Sequence, residues 1–267
     1  MKKITLISIA MLLSLICSAQ SRPTFQKTNG TGQINRNVST QPIQKTTNNT
    51  LPAQGKLPLR SNGYIKMKLR LPFAAKEMEY MVRKVGHYYI LNEDIIVGND
   101  FPKTRSYSID NGIFTNYKWE NAEIPVVIDK SIFENNMQNM VVGALNEMNT
   151  QLELRIVART TQEDYVRIEF SSTILGSGES AVGRQGGEQP LFLAKSATKA
   201  TVWHELLHAA GIWHEQSRGD RDKFIQINET NLADGAEHNF QYESGNNQGD
   251  YDFCSIMHYS EKAFSKN

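Results

Sequence analysis

Three histidines and a glutamate share one eleven-residue window, HELLHAAGIWH, running from His204 to His214. In a helix, His204 and His208 are four residues apart and stand on one face, where both ring nitrogens can reach a single ion. Glu205 lies one position along, close enough to hold a water on that ion without ligating it. A third ligand further along the same helix would rotate away, so the helix must end, and Gly211 can take the left-handed conformation that ends it. His214 can then swing back. Three neutral imidazoles leave the fourth position of a tetrahedral zinc open, which is the arrangement of a catalytic rather than a structural site. HExxH alone arises by chance on many amphipathic helices. Here, however, three of the chain's six histidines fall in the window, with a glycine where the turn needs one, and coincidence becomes the poorer reading.

Downstream, SIMHYS at 255–260 places a methionine and a phenol after the window. HExxHxxGxxH followed by a Met-turn is the signature of metzincin peptidases, and HExxHxxGxxHEQSRxDRD with SIMHY resembles the astacin family of secreted zinc endopeptidases. The resemblance extends through YKWENAEIPVVID (117–129), ARTTQEDYVRIEF (158–170) and AVGRQGG (181–187), and suggests a secreted, prokaryotic-type member. It implies that His204, His208 and His214 bind one Zn2+ per chain, that Glu205 is the general base, and that Tyr259 is a displaceable fifth ligand and catalytic hydrogen-bond donor. Met257 would form the floor. The family's propeptide blocks its metal with an aspartate in an F-x-G-D segment. LNEDIIVG (91–98) is similar in its second half, making Asp94 a possible latency ligand; as residues alone, Asp94 also reads as a turn between two strands.

The chain has 267 residues, of which 39% are hydrophobic and 21% charged, and its net charge is +1. That suffices for one sizeable domain with appendages, and nothing in the charge balance points to nucleic acid. Lys2 and Lys3, an apolar stretch at 4–16, and the small pair Ser18 and Ala19 have the form of a signal peptide over 1–19. The stretch is too short for a comfortable permanent membrane anchor, so export is expected, with periplasmic retention or lipidation at Cys17 as lesser alternatives. Cleavage after Ala19 would leave Cys254 as the one remaining cysteine, expected buried and reduced, with an intermolecular bridge as the alternative. Most astacins carry disulfide cysteines near positions 178–180 and 194–198, where this chain has none.

The site must be positioned by the elements around it. Residues 20–63 are rich in Asn, Thr, Gln, Ser and Pro and read as a disordered polar spacer. Between 64 and 109 the apolar runs suggest short strands, which the resemblance assigns to a propeptide; cleavage between 100 and 112, at Lys103 or Arg105, would release it through an activating protease. The catalytic domain is expected over 110–267. EIPVVID reads as a strand, 133–150 as a helix with Phe133 among its core positions, and LRIVAR, YVRIEF and QPLFLAK (189–195) as further strands. By resemblance, the last would be the edge strand that aligns substrate. Ser196 or Thr198 can cap the zinc helix. The expected fold is α+β: a metzincin-like mixed twisted sheet with a backing helix and an active-site zinc helix, preceded by signal peptide and propeptide.

These readings converge on a latent zinc endopeptidase acting on protein or peptide substrates. Eight residues follow Tyr259, whereas astacins continue for several dozen that complete the cleft, so the domain is expected to be C-terminally incomplete. The rival from another class is therefore a zinc- and protein-binding module without turnover. A zinc hydrolase acting on something other than peptides is a third reading. By the resemblance, Glu215 would pair with a newly freed amino terminus. RGD at 218–220 is expected to form an internal ion-pair network rather than an adhesion tripeptide.

Overall fold

The structure is a computed structural model that describes residues 63–74, 76–100, 117–243 and 247–266. The expected signal peptide, nearly all of the polar spacer, Cys17, Lys103, Arg105 and the boundary at 109/110 lie outside these residues. Four strands come first: β1 (Tyr64–Leu69), β2 (Met78–Val85), β3 (Tyr88–Leu91) and β4 (Ile95–Asn99). Each pairs antiparallel with the next, so the apolar runs noted in this stretch become a meander. The β2–β3 connection turns on Gly86 at φ 58, as a two-residue hairpin loop requires.

The second half supplies β5 (Glu123–Ile128), the short helix α1 (Lys130–Glu134), α2 (Gln138–Gln151), β6 (Arg155–Ala158), β7 (Tyr165–Phe170), β8 (Gly178–Ser180), β9 (Glu188–Leu193) and the helix α3 (Lys199–Ala210). All nine strands join one sheet in the order β1-β2-β3-β4-β8-β9-β7-β5-β6. β6, β5, β7 and β9 are mutually parallel, and β8 runs antiparallel to β9. The two halves of the sheet meet along one thin seam, where β4 lies parallel to β8 with Ile95 opposite Ser180. The α+β class and mixed sheet are as expected.

Two local expectations are corrected. The helix anticipated over 133–150 is two helices. Asn136, at φ 57, breaks the run, Asp129 caps α1 through the Ser131 amide, and Met137 turns into the core to start α2. Phe133, expected in the core, is left half-exposed at 52%. QPLFLAK is not an edge strand: β9 is flanked by β7 and β8, and the strand at the seam is β8.

One large apolar cluster packs α2 and α3 onto β5, β6, β7 and β9, with Val141, Ala144 and Met148 facing Val202, Leu206 and Ala209. A second cluster, built on Leu69, Tyr80, Val82, Leu91 and Ile95, belongs to the meander and receives Val182 from the other half. The meander thus has a core of its own. No described helix is long and apolar enough to cross a membrane.

Candidate metal centre

Thr198 begins α3 with a reciprocal cap in which its side chain accepts from the Thr201 amide and Thr201 returns the bond. Gly211, at φ 105, ends it, donating its amide to the carbonyl of His208, and Ile212 closes the turn onto Leu207. This is the left-handed C-terminal cap that the spacing requires. The AVGRQGG segment braces the same end: the Gly183 amide donates to the His208 carbonyl at 2.8 Å, and Trp119 donates its indole N–H to the Ala209 carbonyl.

The three imidazoles converge. Ring centroids of His204, His208 and His214 lie 4.6, 4.7 and 5.3 Å apart. His204 donates from Nδ1 to the Ile256 carbonyl at 2.9 Å, and His208 from Nδ1 to the Ile212 carbonyl at 2.8 Å. Each bond fixes the tautomer that leaves Nε2 with a free lone pair, as outer hydrogen bonds do for metal-binding histidines. Nε2 of His214 lies 3.3 Å from Nε2 of His204. Asp94, the last residue of the β3–β4 turn, joins them: its Oδ2 is 3.1 Å from His214 Nε2 and 3.4 Å from His204 Nε2. One donor atom from each of Asp94, His204, His208 and His214 lies within 4.8 Å of all the others, a set that could hold a metal ion. The donor chemistry fits zinc. Nε2 of His208 and Oδ1 of Asp94 are buried without a hydrogen-bond partner among the described residues, which is costly unless a cation accepts them.

The turn that delivers Asp94 is strained in a useful way, with Asn92 at φ 51 and Glu93 at φ 72. The turn reading of Asp94 holds, and the same turn places its carboxylate among the three imidazoles. Burial pushes the Asp94 carboxyl up, but the imidazoles of His214 and His204 outweigh it and hold the group well below the ordinary carboxylate range. Burial drives His208 far down, reinforced by the neighbouring imidazoles, so it stays neutral and able to ligate.

Glu205 is 2% exposed, and burial, with the negative fields of Asp94 and Glu179, raises its carboxyl well above the usual range. Its seat depends on a residue the sequence did not flag: a Cβ on Gly178 would come within 2.6 Å of Glu205 Oε1. Met257 is buried within the core cluster, and its carbonyl accepts the Glu215 amide. The Tyr259 ring lies 4.7 Å from that of His214. Its hydroxyl donates to the Asn92 carbonyl at 2.8 Å, and burial raises its pKa well above the usual value. Asn92 also donates its amide to Glu243 at 2.9 Å. No local pattern marks Gly178 or Asn92, because both act across large sequence separations.

Arg218 does form the expected internal network, pairing with Glu215 at 3.1 Å and Asp220 at 3.0 Å and donating to the carbonyls of 248–250. Cys254 departs from expectation. It is exposed rather than buried, its amide donating to the Asp252 carboxylate in a turn that points it outward.

Residues 113–267 match the model of the astacin peptidase family. The chain is 32% identical to zinc metalloproteinase nas-14 of Caenorhabditis elegans over 184 residues, 67% of this chain and 35% of that protein. It is 36% identical to Meprin A subunit beta of Rattus norvegicus over 156 residues, 56% of this chain and 21% of that protein. Among solved structures, High choriolytic enzyme 1, a hatching enzyme zinc-protease from Oryzias latipes, superposes with a TM-score of 0.50 at 34% identity, covering 56% of this chain and 75% of that one. The chain spans about a third of the length of nas-14 and a fifth of that of the meprin subunit.

Proposed function

This chain belongs to the astacin family of peptidases, and from that premise we propose that it is an exported zinc endopeptidase, made as a latent precursor, that hydrolyses internal peptide bonds of proteins. The observation that carries the reading is the seat of Asp94, whose carboxylate projects from the meander into the space between His204 and His214. A carboxylate there suits a position that water must occupy for hydrolysis.

His204, His208 and His214 would hold the metal through Nε2. Zinc, when bound, supplies a Lewis acid that polarises a carbonyl and makes a water molecule more acidic. Glu205 would take the proton from the attacking water and later hand it to the departing amine nitrogen. Its raised pKa in the closed state suits a group that must hold a proton between the two transfers. Tyr259 would donate from its hydroxyl to the oxyanion of the tetrahedral intermediate once the Asn92 carbonyl no longer accepts that bond. The edge of β8 would receive an extended peptide by main-chain hydrogen bonds, in place of β4.

Latency would then have three parts, delivered by one turn and the strand that follows it. Asp94 fills the space among the imidazoles, Asn92 holds Tyr259, and β4 covers β8. Release would need a cut within 100–112 by an activating protease. Residues 1–19 would direct export.

The test is casein hydrolysis by the full chain after trypsin treatment and trypsin inactivation, with and without a zinc chelator, alongside Glu205→Gln. Chelator-sensitive cleavage lost in the variant supports the reading. Stoichiometric zinc without cleavage would instead favour the zinc- and protein-binding module.

A further inference from the structure

The meander places a guanidinium on the edge of the catalytic half. Nη2 of Arg83, in β2, lies 3.3 Å from Oε1 of Glu179, the middle residue of β8. The Arg83 Nε is 3.4 Å from Glu93, which also accepts from the Tyr64 hydroxyl. Glu179 is 1% exposed, and Arg83 is the cation paired with it. A buried carboxylate on a strand edge is expensive unless a cation meets it. Every part of that cation's setting, Arg83, Glu93 and Tyr64, belongs to the meander, while Glu179 lies in the part matching the peptidase family.

The register of β8 against β9 sets Glu179 opposite Phe192, and an antiparallel cross-strand pair presents both side chains on one face. Phe192 is covered by Tyr88 of β3, ring centroids 5.1 Å apart and edge to face. When the meander leaves, β8 is left with a carboxylate and an aromatic ring side by side. A carboxylate that accepts two N–H bonds, beside a ring face on which a planar cation can lie, suits arginine better than lysine.

We propose that Glu179, flanked by Phe192, is a specificity-determining residue that selects an arginine side chain in the stretch of substrate lying along β8, and that Arg83 fills the same slot in the precursor. The proposal rests on the peptidase reading for its consequence in catalysis but not for the binding event itself. Burial pushes the Glu179 carboxyl up to about 8 while the meander covers it, despite Arg83. Water returning to the open edge would restore its charge at neutral pH.

Two arms test it on the full chain, nicked with trypsin that is then covalently inactivated. In the first, peptides carrying arginine at successive positions around the scissile bond compete with twins carrying citrulline, a neutral isostere. The arginine peptide should have the higher kcat/KM at one position by about tenfold, with lysine between, and Glu179→Gln should bring that ratio close to one. In the second, fluorescently labelled members of the same pair bind to the Glu205→Gln chain, where anisotropy should give the same preference and the double variant should lose it. Equal treatment of arginine and citrulline at every position, or a preference that survives Glu179→Gln, overturns the proposal. If casein and all peptides resist cleavage, the peptidase reading falls, and the binding arm still decides the role of Glu179.

Discussion

At the scale of single residues, the cluster that could hold a metal declares itself and its supports do not. His204, Glu205, His208, Gly211 and His214 are legible because helix geometry alone relates them, and the left-handed Gly211 follows from needing a third ligand off the helix. The place of Asp94 beside the histidines is not legible in the sequence, since a turn aspartate looks the same wherever its turn docks, and only the meander's seat on β8 brings it there. Gly178 is illegible, because its role is to leave room for a side chain 27 positions away in sequence, and only the folded distance reveals it. Gly178→Ala forces Glu205 aside, and a displacement of that size is expected to lower kcat by about a hundredfold. Bound zinc should stay stoichiometric. A kcat within about twofold of the parent would show that the glutamate does not depend on this glycine.

Among elements, strong local chemistry is readable and weak local chemistry is not. The sequence narrows the cap of α3 to Ser196 or Thr198, and Thr198 makes it through the pair of bonds with Thr201. Thr198→Ala removes one partner of that pair and should cost about 1 kcal/mol, seen as a lower denaturation midpoint with an unchanged slope. An unchanged midpoint would place the stability of α3 wholly in its buried face. Over 133–150 the apolar period suggests one helix where two form, because it runs on through Asn135 and Asn136, which tolerate the break that the chain takes there. β8 is hidden for a different reason. Gly178–Ser180 is three residues with no apolar alternation, made a strand only by its neighbours β9 and β4, whereas the hydrophobic QPLFL looks like the stronger candidate and is interior.

At the scale of the whole molecule, docking of the meander on the catalytic half should depend on pH. Glu179 and Glu243, both covered by the meander, are pushed up to about 8 by burial from an ordinary value of 4.5. Between those values the docked state binds more protons than the undocked one, so rising pH weakens docking across that window, and the loss levels off above about 8. Asp94 acts in the opposite sense. Its pKa is depressed by docking, so its contribution is complete above the ordinary 3.8 and fades as acid protonates it. The summed contribution of these three carboxylates should therefore be largest from about pH 4 to 5, while His238, packed against Tyr64 and depressed below 6.5 by burial, opposes it as pH falls. Hydrogen exchange of β1–β4 in the intact chain should quicken from about pH 5 to 8 beyond the intrinsic base-catalysed rate, and Glu243→Gln should flatten the trend. Protection that is independent of pH once corrected would contradict it.

The narrow seam between β4 and β8 carries one more implication. Because the meander has a core of its own, a cut in the connecting chain would leave both pieces folded and still fitted together. What the cut removes is the tether, and with it the high effective concentration that kept the piece in place. The cleaved protein would then behave as an enzyme with a reversible competitive inhibitor of equal stoichiometry. Its specific activity should climb on dilution and fall when purified inhibitor piece is added back, and activity proportional to concentration over the whole range would rule this out.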